Sequence, residues 1–148
     1  MVDVGQKIRE SYFEILNGNV FIEGAAIPFV DEKLDAEISE QDIYVLFTSQ
    51  DEEVESESNN SQTVNDVLTK MQIVNRRRAT GNKEKVEDVS NQILTLLFPT
   101  VNTWAVSLGD PLYLVFSLFV NGQYNPIGKD ENGFIVSKIL TFKNRITQ

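Results

Sequence analysis

Apolar and polar positions change period several times along the chain, and each change marks an element. Val4, Ile8, Tyr12 and Ile15, with Leu16 beside them, recur at helical spacing and predict an amphipathic helix over residues 3–17. Asp3 suits its N-cap. Asn17-Gly18 suits its end, because that pair tolerates left-handed backbone. Residues 19–30 read as extended, with Val20, Phe21 and Ile22 favouring strand. Pro28 removes a ladder donor, so its stretch is an edge or a bend. After an acidic connection at 31–42, residues 43–48 (IYVLFT) form the clearest strand; they are apolar on both faces and therefore expected in a central position. Thr69, Met71 and Ile73 alternate with Lys70, Gln72 and Val74 in a further strand over about 64–76. A second helix is expected over about 83–98, with Val86, Val89, Ile93, Leu96 and Leu97 as its apolar stripe, Asn82 as its N-cap and Pro99 as its stop. Short strands near 104–108 and 112–121 follow, then a turn at Asp130-Glu131-Asn132-Gly133 and a final strand at 134–146. In the 112–121 strand Leu112, Leu114, Phe116, Leu118 and Val120 alternate strictly.

The order α, β, β, β, α, β, β, with hairpin-like links, predicts an α+β fold: a mainly antiparallel β-sheet with two amphipathic helices packed on one face. The 148 residues fit a single domain, 1–148, with no internal boundary or repeat. Within it, residues 50–62 (QDEEVESESNNSQ) hold five acids, no base and a single apolar residue, Val54. Such a stretch is expected to be a long mobile loop or the exposed arm and tip of an elongated hairpin.

Composition narrows the function. Hydrophobic residues make up 41% of the chain, enough for a packed core and too many for global disorder. No apolar run approaches the roughly 20 residues that cross a bilayer, and the first residues do not read as a secretory signal, so no membrane partner is expected. There is no cysteine and no histidine. That removes disulfides, thiolate nucleophiles, thiolate metal sites and every catalytic arrangement built on imidazole, leaving only carboxylate, Lys or Tyr chemistry. The chain has no phosphate-binding glycine motif. Gly122 and Gly128 are expected in a loop between strands rather than at a helix start. The acids at 51–57 lack the glycine and spacing of a calcium loop. No carboxylate pair stands out as an acid–base dyad. The chain is therefore read as a non-enzyme with no cofactor and no metal.

Charge is unevenly spread. The net charge is −9, but residues 1–57 carry fifteen acids against three bases, whereas residues 58–148 carry seven acids against ten bases. A domain polarised in this way suits head-to-tail contact with copies of itself or with a charged partner. It does not suit a tight grip on nucleic acid. The sharpest local feature is Arg76-Arg77-Arg78. Arginine forks bind carboxylates bidentately and are enriched at interfaces. Alternation places Arg76 and Arg78 on one strand face and Arg77 on the other. Arg76 and Arg78, with Glu52, Glu53, Glu55 and Glu57 of the acidic arm, are the candidate subunit-interface residues.

The arrangement of these segments resembles the tail terminator and head–tail joining (neck) proteins of tailed bacteriophages, small α+β subunits that assemble into rings. The matching features are the helix KIRESYFEIL before an extended segment ending in IPFV, the strand IYVLF, and a long polar excursion into a strand and RRRATG. The helix KEKVEDVSNQILTLL and the closing aliphatic strand SKILTF complete the match. The likeness spans roughly residues 4–143. It departs from the common pattern in the long tract from Pro99 through Trp104 to Pro111 and in the apolar strand 112–121. The resemblance implies a structural virion protein, assembled in the host cytoplasm. It would form a homo-oligomeric ring of six or twelve copies at the head–tail junction or the tail end, beside portal, neck or tail proteins, with DNA passing through without tight binding. The alternative is a soluble non-enzymatic adaptor for a charged protein partner.

Overall fold

The computed structural model describes residues 3–31, 42–57, 63–77, 83–130 and 133–148. Helix α1 (Val4–Leu16) begins as its sequence predicts: the Asp3 carboxylate accepts from the Gln6 backbone N–H at 3.1 Å, and Val4, Ile8, Tyr12 and Leu16 are buried along one stripe. It ends before Gly18, whose φ of 80° is the left-handed conformation expected there. Strands β1 (Phe21–Ile22) and β2 (Ala25–Ala26) make a minimal hairpin. Its central residues Glu23 and Gly24 both have positive φ, as the tightest hairpin turns require. Strand β3 (Phe29–Asp31) follows directly after Pro28 and forms an edge.

The long hairpin of β4 (Ile43–Glu57) and β5 (Thr63–Arg77) is the expected hairpin arm, with a first strand longer than expected. The strand predicted at 43–48 continues through the acidic stretch to Glu57, paired with β5 nearly throughout. Residues 50–57 are therefore the strand of a hairpin arm and not a loop, while 58–62 lie outside the described residues. An acidic strand with one apolar residue forms here because its partner supplies the ladder, which composition does not register. The central position expected for 43–48 holds only at Val45–Phe47, where β3 pairs in parallel on the far side from β5.

Helix α2 (Glu84–Leu97) buries Val86, Val89, Ile93 and Leu97. Its N-cap is Lys83, with no side-chain cap bond; Asn82, the expected cap, lies outside the described residues. The strand expected at 104–108 does not form. Its backbone donors go elsewhere: Ala105 donates to the Leu97 carbonyl at 2.8 Å and Ser107 to the Ser11 hydroxyl at 3.2 Å, which lays the tract across the helices and away from the sheet. Strand β6 (Tyr113–Tyr124) and the hairpin of β7 (Gly128–Asp130) with β8 (Gly133–Thr147) complete the sheet. Gly122 thus sits inside a strand and Gly128 starts one, rather than both lying in a loop. Asp130 and Gly133 flank the expected turn, and Gly133 has a φ of 118°.

The sheet order is β3-β4-β5-β8-β6, with β7 beside β8, and every pairing except β3–β4 is antiparallel. The fold is α+β, as expected. Both helices pack on one face, against Val45, Phe47, Val67, Met71, Ile73, Val136, Leu140, Phe142 and Ile146. The polar tip of Tyr12 meets this apolar layer with a partner: the Asn144 amide donates to its hydroxyl at 2.6 Å. Burial pushes the Tyr12 phenol up to about 12, against the smaller opposing effect of its hydrogen bond with Asn144. The Gln92 side chain of α2 acts as a surrogate strand, accepting from the Phe21 N–H at 2.9 Å and donating to the Phe21 carbonyl at 2.8 Å.

Candidate subunit-contact surfaces

The β4–β5 hairpin separates the candidate acids from the candidate arginine. Glu52 pairs across from Val67, Glu53 from Asp66 and Glu57 from Thr63, whereas Arg76 lies at the other end of β5, opposite Ile135. Nine residues separate Val67 from Arg76. At about 3.3 Å per strand residue that is roughly 30 Å. No side chain spans such a gap, so the structure does not bring these charges together within one chain. Glu55 falls at a register shift between Val54 and Ser56, a bulge in the arm. Arg76 is half-buried and its backbone N–H donates to the Asp42 carbonyl at 2.6 Å. Arg78 lies outside the described residues, so its expected place beside Arg76 is not addressed.

A second charged group was not anticipated. Asp66 is buried on the sheet face away from the helices. Arg145 grips it with both arms of its fork, Nε to Oδ1 and Nη2 to Oδ2, each at 2.8 Å, and the Lys143 ammonium lies 3.3 Å from Oδ2. The Arg145 guanidinium also stacks over Phe116, 5.2 Å from the ring centroid. Among the described side chains one carboxylate meets two cations here, and the register also sets Glu53 across from Asp66. Pairing puts Lys70 and Arg76 on this same helix-free face, with Lys143 and Arg145. Alternation groups Lys70 with Arg76 and Lys143 with Arg145, but nothing in the sequence joins the two strands or links Asp66 to a residue 79 positions away.

The apolar strand β6 also resolves differently from its pattern. Strict alternation would place Leu114, Phe116, Leu118 and Val120 together. Register shifts at Val115 and Val120 break the alternation. Leu114 therefore pairs with the core residue Ile146, while Phe116 and Leu118 pair with Arg145 and Lys143 on the other face. The result is an edge with large apolar residues in water: Tyr113 is 69% exposed and Val120 46%. Beside it, Phe98, Val101, Trp104, Phe116 and Phe119 line an open groove of about 700 Å³.

No protein-family model matches the chain, and no curated protein matches it either. The functional reading therefore rests on the residues themselves. Among the described residues no three His, Cys, Asp or Glu side chains converge as a metal site, and no helix is long and apolar enough to cross a membrane. A second groove of about 700 Å³, between α1 and the start of the sheet, is lined by Gln6, Arg9, Glu10, Phe13, Asp31 and Phe47. Across it Arg9 and Asp31 form a loose, exposed ion pair at 4.0 Å. At the start of α2, Tyr124 lies under two ammonium groups, Lys83 at 4.6 Å and Lys138 at 5.1 Å. Burial and the neighbouring Glu87 carboxylate raise its pKa. Gly122 makes room for this cluster: a Cβ there would stand 2.8 Å from Lys138 Cε.

Proposed function

We propose that the chain is a structural subunit that assembles head to tail into a ring of a tailed-phage particle, at the head–tail junction or the tail end. One observation carries the reading. The hairpin holds its acids at one end and Arg76 roughly 30 Å away at the other, so the two charge groups face neighbouring copies as separate, unlike surfaces. Contact between two unlike surfaces is heterologous, and it closes into a ring when the rotation between copies allows. The resemblance described above supplies the particle. The reading assigns the protein no chemical step: its work is assembly, joining or capping the tail, and letting DNA pass. An acidic chain suits a DNA channel, because every neutralised phosphate adds affinity and drag.

Native mass tests this. The expected species has six or twelve copies, and the double variant Arg76→Glu, Arg78→Glu is expected to stay folded by circular dichroism while losing assembly. Breaking a desolvated charge pair costs about 2–5 kcal/mol per contact, repeated at each interface of a closed ring. A wild-type monomer at every concentration and with every virion partner would favour the adaptor reading instead.

A further inference from the structure

The sheet leaves two long edges open among the described residues. β3 covers β4 only at Val45–Phe47, so residues 48–57 have β5 on one side and no described strand on the other. β6 likewise pairs with β8 alone along Tyr113–Tyr124. Natural edge strands are usually blunted by charge, proline or shortness, since an open edge recruits another strand. β6 has bulges but no charge: no charged residue occurs from Pro111 to Gly128, and Tyr113, Val115, Leu118, Phe119 and Val120 are all exposed. β4 carries the opposite character, with Asp51, Glu52, Glu53, Glu55 and Glu57 in its open stretch.

We propose that β6 of one subunit pairs antiparallel with residues 48–57 of the next, so that the sheet continues from copy to copy. This deepens the ring reading and rests on it. Three observations choose this partner. The first is direction. β4 and β8 run one way and β5 and β6 the other, so a rotated copy brings its β4 antiparallel to β6 and the alternation carries on unbroken. The second is length: ten open positions on β4 face the 12 residues of β6. The third is charge. Pairing β4 with β4 would oppose five acids to five acids, whereas β6 offers none. Behind β6 stand Lys143 opposite Leu118 and Arg145 opposite Phe116, and the Arg145 head already leans over the Phe116 ring. An acidic strand docked on β6 lies one strand from these two cations.

The absence of native cysteine allows a direct test by thiol cross-linking. Copies carrying Val120→Cys are mixed with copies carrying Glu53→Cys, and Leu118→Cys copies with Glu55→Cys copies, each checked for native circular dichroism and treated with a short bifunctional thiol reagent. The expected product is heterotypic, β6 to β4. Val120→Glu is expected to weaken assembly by at least about tenfold, because it faces the neighbour's acids, while Val120→Lys assembles as well as wild type or better. A dominant β6–β6 product, with Glu and Lys equally disruptive, overturns the proposal in favour of a two-fold pair. A ring-sized species without either edge product overturns the edge pairing and leaves the ring reading standing. A monomeric wild type with no product removes both, and a monomeric wild type that still gives the heterotypic product at high concentration removes the ring alone.

Discussion

The buried Tyr12 phenol makes stability fall at high pH, and the fall can be assigned to one atom. In the unfolded chain a tyrosine titrates near 10, whereas burial holds Tyr12 at about 12 in the fold. Between those values the unfolded state has lost the proton and the native state has kept it. The unfolded state then binds fewer protons, so stability declines as pH rises through this window and is fully present below it. A difference of two units corresponds to about 2.7 kcal/mol by pH 12, a large fraction of the 5–15 kcal/mol typical of a domain. Tyr12→Phe removes that slope but leaves the Asn144 amide donor without the hydroxyl it now bonds at 2.6 Å. The cost at neutral pH is about 1–3 kcal/mol. Urea unfolding of both proteins from pH 8 to pH 12 is the assay. Other titrations, including that of Tyr124, appear in both proteins and cancel in the difference. The variant is expected to be less stable at pH 8, with the gap closing or reversing by pH 12. Parallel curves, with a constant gap across the range, would refute the account of Tyr12.

Two further outcomes follow from the charged face. Asp66→Ala removes the carboxylate that Lys143 and Arg145 share; their heads are about one-third exposed and can swing to water, so a loss of about 2–3 kcal/mol is expected, below the 3–5 kcal/mol of a fully buried break; a thermal melt unchanged from wild type would show that the carboxylate holds nothing together. Isolated protein is expected to bind duplex DNA no more tightly than non-specific binders, about 10⁻⁴–10⁻⁶ M, at physiological salt. A submicromolar, salt-sensitive fluorescence titration would place phosphates along the helix-free face that carries Lys70, Arg76, Lys143 and Arg145.

What could be read from the chain divides along the range of the interactions. The helices are legible because period, cap and stop all lie within one segment: Asp3 caps α1 through Gln6, three residues away, and Pro99 follows α2 closely. β5 and β8 are legible because one face of each is the core. The acidic arm was half legible, since composition points away from structure while pairing with β5 makes it strand. The bulges of β6 leave no trace in its alternation. The path of residues 104–108 depends on Leu97 and on Ser11, 96 positions from its bonded partner Ser107. The candidate contacts follow the same rule. Arg76 and the acids stand out locally, but their separation along one hairpin appears only with the register, and the Asp66 cluster only with the sheet order.

On the ring reading, that separation lets one set of charges serve both the free and the assembled chain. An uncharged edge such as β6 invites indiscriminate strand pairing, and a row of five acids on β4 is a poor partner for its own kind. On the proposed pairing the two edges permit one match and oppose another: β6 accepts β4, while β4 rejects β4. On the same reading the −9 charge of the free subunit opposes association at long range, where salt screens it within about 10 Å. Close contact then places the acidic arm near the cations behind β6. A linear stack would leave one bare edge at each end, each ready to recruit more chain, whereas closure leaves none. On this reading ring closure is what terminates growth, and the helices, all on one side of the sheet, make the two faces of the continued sheet unlike, so that copy after copy can curve the same way.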